Sequence, residues 1–298
     1  MKEVNCEICG GKDISIVYDD YIRDGAPGTL TPIKYKMYQC NCCKTIWHEH
    51  SKSENDEYYT SKEYRNRLEG TTELEKYYSM HDFEVLDKFN YCGTTIFRNA
   101  TVADIGCGGG GFLDFLKGVA KEIIAIEPSA EYQKTLKERG YYTYTYASNA
   151  IKEWGGNVDV VTSFDVIEHV DNTVEFMKDV FNLLSEGGRA IIGTPTDCPL
   201  MRELLGHVYE QGLLYSYQHN WILSEDGFKL CCQKAGFSKI KIKYVQRYGI
   251  SNMIEWIKNK KPSGHTHFEF VTDVLDKTYK SELEKSGLAD YIIAYVEK

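Results

Sequence analysis

No run of about 18 consecutive apolar residues occurs anywhere in the chain, which excludes a helical membrane span at the level of sequence. The opening stretch Met1-Lys2-Glu3-Val4-Asn5-Cys6 lacks the apolar core of a secretory signal. Positive charge is also in deficit: 35 Lys and Arg face 44 Asp and Glu, a formal net charge of −9. A surface of that sign repels a phosphate backbone at long range, so nucleic acid is a poor default partner unless a local basic patch outweighs the sum. With neither leader nor span, a cytoplasmic location is expected, where ten cysteines persist as thiols or metal ligands. No internal repeat or low-complexity tract appears. What remains is a chain with 42% hydrophobic and 27% charged residues, able to bury a real core.

Three parts are legible. Residues 1–50 are turn-rich, with cysteine pairs at both ends. Residues 51–98 are rich in Glu, Lys and Tyr, and Thr72–Phe89 reads as a helix from the recurrence of Leu74, Tyr77, Tyr78, His81, Val85, Leu86 and Phe89. This connector is expected to lie across the mouth of the main domain, residues 99–298. In that domain Thr101–Cys107, Glu122–Glu127, Tyr141–Tyr146, Asp159–Phe164 and Arg189–Thr194 read as strands. Helices open at Phe112, after Ser129 and at Asn172, with Ser129 as a cap. The alternation implies an α/β, doubly wound, mostly parallel sheet. Later, Ser224–Ala235 is a helix with Ser224 as N-cap and Gly236 as stop. Ser238–Gln246 and Asp290–Glu297 are two late strands suited to an antiparallel pair at a sheet edge. The segments at about 196–222 and 248–289 are expected to cap a substrate pocket.

The central signal is VADIGCGGGGF at residues 102–112, a strand-to-helix junction. Gly106, Gly108 and Gly111 satisfy the GxGxxG spacing, which lets the backbone approach a ligand at a helix N-terminus. A dinucleotide and a sulfonium nucleoside both use that turn. Asp104, two residues before the first glycine, discriminates: a carboxylate there opposes a pyrophosphate and suits a ligand carrying ammonium and sulfonium charge. Glu127, about 20 positions on, sits where an acid accepts ribose hydroxyls.

The blocks DIGCGGGGF, AIEPS, DVVTSFDVIEHV and LLSEGGRAIIGTP, within residues 101–195, resemble a class I S-adenosylmethionine (SAM)-dependent methyltransferase core. The resemblance implies a seven-stranded sheet with its last strand inserted antiparallel, and SAM as cofactor. It implies that Asp104, Gly106 and Gly108 surround the methionine part and that Glu127 holds the ribose. Ser148 and Asn149 would lie near the adenine, and Phe164 and Asp165 would line the transfer site. The acid that the family often carries after the third strand is absent here.

An alcohol acceptor needs a base or a metal to manage its proton. If Asp165-Val166-Ile167-Glu168-His169 forms a helical turn, Asp165, Glu168 and His169 share one face. His219 follows in Tyr217-Gln218-His219-Asn220-Trp221. The set resembles the metal site of small-RNA 2′-O-methyltransferases, with Asp165 where those have Glu. Ubiquinone-pathway O-methyltransferases carry a similar acid-x-x-Glu-His block. Mg²⁺ or another divalent ion is one reading. A metal-free general base at His169 or His219 is another, and a purely structural turn a third.

Cys6-Glu7-Ile8-Cys9 and Cys40-Asn41-Cys42-Cys43 are two knuckles with the spacing of a zinc ribbon. They nominate Cys6, Cys9, Cys40 and Cys43 as ligands of a structural Zn²⁺, with Cys42 a rival for the last place and ordinary reduced thiols the alternative. Cys92, Cys107, Cys198, Cys231 and Cys232 show no ligand spacing.

A zinc ribbon before such a core resembles bacterial sugar C-methyltransferases and some ribosomal-RNA guanine methyltransferases. The stretch from Gln246 to Asn252, with Trp256 and Lys261–His265, resembles methyltransferases encoded with bacterial surface polysaccharides. Tyr248, Asn252, Trp256, His265 and His267 suit a sugar ring, while Arg247 and the Lys258–Lys261 cluster suit a nucleotide or phosphate. A solvated, irregular cap is the plain alternative. The expected activity is O-methylation of a sugar, free, nucleotide-linked or in a glycan, during surface-polysaccharide assembly. RNA methylation, sugar C- or N-methylation and a non-catalytic SAM-binding scaffold are the alternatives. Nothing in the sequence sets an oligomeric state.

Overall fold

The computed structural model describes residues 5–48 and 74–298. The first residues and most of the connector, including the expected helix start at Thr72, lie outside them. The chain begins with an antiparallel meander, β1 (Ile14–Asp20), β2 (Tyr35–Cys40) and β3 (Ile46–His48). Helix α1 (Leu74–Cys92) follows. The main sheet then alternates: β4 (Thr101–Ile105), α2 (Gly111–Leu116), β5 (Glu122–Ile126), α3 (Ala130–Glu138), β6 (Tyr142–Tyr144), α4 (Ala147–Trp154), β7 (Val158–Phe164), α5 (Thr173–Leu183) and β8 (Leu184–Pro195). After α6 (Pro199–Leu205) comes a two-residue strand, β9 (Trp221–Ile222). Helix α7 (Glu225–Ala235), β10 (Lys239–Val245), α8 (Ile250–Asn259), α9 (Asp273–Ser286) and β11 (Tyr291–Glu297) complete the chain.

Seven strands form one sheet in the order β10-β11-β8-β7-β4-β5-β6, with β11 antiparallel to both neighbours and β4 to β8 parallel. The two late strands do pair at an edge, as their late position without an intervening βα unit predicts. β4 is buried at every position, because helices cover both faces. One face packs Ile105, Met177, Val180 and Phe228. The other packs Val102, Phe112, Leu136 and Ile293 beneath Tyr77 and Val85 of α1.

Local chemistry explains most boundaries. Asn172 Oδ1 accepts from Val174 N and Glu175 N, both at 3.0 Å, and starts α5. Ser224 Oγ accepts from Gly227 N at 2.9 Å and starts α7, which ends at Gly236 with φ +113°. Ser129 occupies the N-cap of α3, but its side chain makes no capping bond; its N–H donates to Glu127 Oε1 instead. The third strand of the doubly wound core is shorter than the Tyr141–Tyr146 alternation suggests. Tyr146 N donates to Asn149 Oδ1 at 3.1 Å, which commits residues 146–149 to the start of α4.

The two sheets are joined. β3 pairs antiparallel with β9, Trp47 opposite Trp221, so the N-terminal meander takes its fourth strand from the far side of the chain. The two indole rings lie 6.2 Å apart, and both are buried.

Candidate active site

Reversal of strand order between β4 and β7 opens a crevice at the C-terminal strand ends, where doubly wound sheets bind ligands. A cavity of about 720 Å³ occupies it. Gly106 (φ +76°) and Gly108 (φ +54°) line it in a conformation that side chains rarely adopt. A Cβ on Gly106 would overlap Val166, and one on Gly108 would overlap the Tyr77 hydroxyl. Glu127, only 2% exposed, fastens this loop: Oε2 accepts from Gly108 N at 2.9 Å and Oε1 from Ser129 N at 2.9 Å. Each carboxylate oxygen carries two lone pairs, so acceptor capacity remains toward the cavity that Glu127 lines.

Ser148 and Phe164 also face the cavity. Asn149 does not line it, since its side chain is spent on the α4 cap. Asp104 does not line it either. It still belongs to β4, opposite Ala125 and Thr162, and its Oδ1 accepts from Thr162 Oγ1 at 2.7 Å. Burial pushes its carboxyl above the ordinary carboxylate range, against the Lys88 ammonium and the Thr162 bond. Any pull on a cationic ligand therefore acts from beneath the cavity floor rather than by contact.

Past β7 the chain forms a turn, not a helix. Asp165 takes φ +58°, which breaks the shared face expected for Asp165, Glu168 and His169. Asp165 pairs with Arg247 Nη1 at 3.2 Å and accepts from the Tyr291 hydroxyl at 3.2 Å. Glu168, His169 and His219 do converge, with potential ligand atoms within 4.8 Å of one another. The His169 imidazole donates through Nδ1 to Gln218 O at 2.7 Å, which turns Nε2 toward Glu168 Oε1, 3.9 Å away. Glu168 Oε2 accepts from Thr194 Oγ1, whereas Oε1 is buried with no hydrogen-bond partner. Burial, then the Asp165 charge, raises the Glu168 carboxyl to about 8. Burial, then His169, holds the His219 imidazole well below its usual value.

This trio suits a divalent ion: an orphaned carboxylate oxygen, two imidazoles, and the Gln218 carbonyl that holds the His169 ring in place. Two nitrogen donors with one carboxylate match Zn²⁺, a borderline ion that favours imidazole, or the harder Mn²⁺ better than the Mg²⁺ considered from sequence.

Helix α1 lies across the mouth. Tyr77, His81, Glu84 and Lys88 all line the cavity, at i, i+4, i+7 and i+11, one helical face. Sequence reasoning noted Tyr77 and His81 as part of an apolar stripe and passed over Glu84 and Lys88, although that spacing was the available signal. Arg23, Gly25 and Gln218 also line the cavity and carried no local signal. In the cap, Tyr248, Asn252 and Trp256 line an adjoining chamber of about 110 Å³. His265 packs on Phe83 and Tyr248, and neither it nor His267 lines either cavity.

A family profile described as a methyltransferase domain matches residues 78–242, more than half of the chain. The chain belongs to this methyltransferase family. It is 33% identical over 110 residues to a ubiquinone biosynthesis O-methyltransferase of Caulobacter sp. (strain K31), a match covering 34% of this chain and 43% of that one. A mitochondrial ubiquinone biosynthesis O-methyltransferase of Rattus norvegicus is 26% identical over 133 residues, 40% of this chain and 38% of its own. The methyltransferase thus spans less than half the length of these relatives, which are named for ubiquinone rather than sugars. Among solved structures, a SAM-dependent methyltransferase from Archaeoglobus fulgidus superposes with a TM-score of 0.49 at 15% identity, covering 79% of this chain and 98% of that one.

In the methyltransferase's N-terminal meander, Cys6, Cys9, Cys40 and Cys43 bring their sulfurs within 4.8 Å of one another. Cys6 to Cys43 is 3.6 Å and Cys9 to Cys40 is 3.4 Å. Tetrahedral zinc–thiolate bonds of about 2.3 Å require sulfur separations of about 3.8 Å, so this donor set fits the ion. Gly11 N donates to Cys9 Sγ at 3.3 Å, and a Cβ at Gly11 would press on the sulfurs of Cys9, Cys40 and Cys42. Cys42 is exposed and outside the group of four. All ten cysteines are free of disulfides, and no helix among the described residues is long and apolar enough to cross a membrane.

Proposed function

We propose that the enzyme transfers the SAM methyl group to a hydroxyl oxygen of a small acceptor. The observation that carries this reading is the convergence of Glu168, His169 and His219 on the cavity wall beside the glycine loop. Glu127 takes the ribose hydroxyls, Gly106 and Gly108 admit the methionine portion, and Ser148 lies toward the adenine, with Phe164 beside the transferring methyl. The acceptor oxygen attacks the methyl carbon in line, and the breaking carbon–sulfur bond leaves its electron pair on sulfur. The acceptor proton must go to protein. Nε2 of His169 is oriented to receive it, and His219, neutral at pH 7, is the other base. In the alternative arrangement a divalent ion held by Glu168, His169 and His219 would lower the cost of ionising the hydroxyl, the imidazoles then serving as ligands and not as bases.

We assign Cys6, Cys9, Cys40 and Cys43 to a structural zinc, since four thiolates leave no position open for chemistry. Residues 1–50 then act as a ribbon, 51–98 as a lid, and 99–298 as the catalytic domain. For the acceptor, the polar wall of Arg23, Gln218, His219 and Arg247 supports a hydroxyl-rich ring such as a sugar. The names of the relatives support a phenolic hydroxyl instead. A methyl-transfer panel of nucleotide sugars, free sugars and catechols, with and without EDTA and Mn²⁺ add-back, tests both. Methylation at nitrogen or carbon acceptors only would overturn the reading.

A further inference from the structure

Two guanidinium groups, Arg23 and Arg247, line the acceptor end of the cavity, and they are held differently. Arg247 pairs with Asp165 and, at 3.7 Å, with Asp290. Arg23 is 8% exposed, and its hydrogen bonds go to backbone carbonyls: Nε donates to Leu213 O at 3.3 Å and Nη1 to Gly25 O. Adjacent Asp24 turns its Oδ1 to Gln218 Nε2 at 2.7 Å. Burial pulls the Arg23 guanidinium down to about 10 and outweighs the Asp24 charge, which supports it from beside.

The main chain at Arg23 is fixed on both sides. Arg23 N donates to Tyr215 O at 3.0 Å, and Tyr217 N donates to Arg23 O at 2.8 Å. Arg23 lines both the main cavity and the adjoining chamber, as do His219 and Arg247. A buried cation whose desolvation outweighs its counter-charge is expensive to keep, and a planar guanidinium matches the oxygens of a carboxylate or phosphate.

We propose that Arg23 is the anion anchor of the acceptor site: the acceptor carries a carboxylate or phosphate ester that docks on Arg23 while its hydroxyl meets the Glu168, His169 and His219 wall. The inference rests on the O-methylation reading for the second half of that sentence. The ribbon module thereby supplies a specificity determinant to a site whose chemistry lies in the catalytic domain.

The test uses the full chain with zinc retained and saturated with S-adenosylhomocysteine. Titration calorimetry with benzoate and with inorganic phosphate separates the two anion classes. At least one binds the wild type, Arg23→Gln weakens it tenfold or more, Arg23→Lys weakens it less, and S-adenosylhomocysteine affinity stays within twofold. Should Arg23→Gln fail to fold, Arg23→Lys carries the comparison. Turnover is then compared in matched pairs: glucuronic acid or glucose 1-phosphate against glucose, and 3,4-dihydroxybenzoate against catechol. The acidic member is preferred at least tenfold in kcat/KM, and the preference collapses in Arg23→Gln. Absence of anion binding, or equal binding by wild type and Arg23→Gln, overturns the assignment whatever turnover shows. Anion binding through Arg23 with no hydroxyl methylated overturns the O-methylation reading alone.

Discussion

Gly106, Glu127, Ser148 and Phe164, which line the cofactor wall, come from one continuous βα stretch. The acceptor wall draws Arg23, the 77–88 face of α1, Glu168 and His169, His219 and Arg247 from five separate segments. The first wall is held by strand register and by one carboxylate across one turn. The second depends on β3 pairing with β9, which sets Trp221 N against Glu168 O at 3.1 Å and Asn220 Nδ2 against His169 O at 2.8 Å. One half is local and stiff; the other is assembled from a distance and inherits the stability of the N-terminal meander.

The largest effect is expected from breaking the local wall. Gly108→Ala meets both a positive φ and the Tyr77 hydroxyl, so S-adenosylhomocysteine affinity should fall about 100-fold, or ~2.7 kcal/mol. Calorimetry giving a loss under threefold would show that the loop relaxes freely. Next in size, His219→Ala should lower kcat by about 50-fold, below the full general-base range because His169 remains, with cofactor affinity unchanged; near wild-type turnover would remove His219 from both the base and the metal reading. Stripping zinc with a chelator should then divide the two walls. Turnover should drop roughly tenfold or more through loosening of β3–β9, while S-adenosylhomocysteine still binds within about threefold. Loss of both together would mean that the walls are one cooperative unit.

The smallest effect concerns pH. Glu168 has a carboxyl raised from 4.5 to about 8 by burial, so its proton favours the fold. That contribution is fully present below pH 4.5 and is lost as pH rises through about 8. In metal-free protein, denaturant midpoints of the wild type should fall relative to Glu168→Gln across that window. Parallel curves would show that Glu168 is ionised in the apo fold.

Legibility followed the same division. The strand–glycine–helix turn and Glu127 were readable because their spacing is set by covalent connection and a single turn. The four cysteines were readable for the same reason, each knuckle closing over four residues. Asp104 stays within its strand and off the cavity lining, because strand register decides where it points. Asp165 lines the cavity, but a left-handed backbone, invisible in a spacing argument, replaced the helical turn and removed the face it was expected to share with Glu168 and His169. Asn149 went to a helix start that cut short the expected strand.

By itself, the sequence determined the doubly wound sheet, the glycine loop, the acid on the second strand and the thiolate quartet, since each rests on contacts between near neighbours or on repeating apolar periods. Tertiary structure alone decided that Arg23 is buried beside His219, that α1 lays Tyr77 on the glycines, and that a two-residue strand couples the ribbon to the Glu168–His169 turn. Those contacts join residues far apart along the chain, and their energy comes from burial and hydrogen bonding that no local pattern encodes.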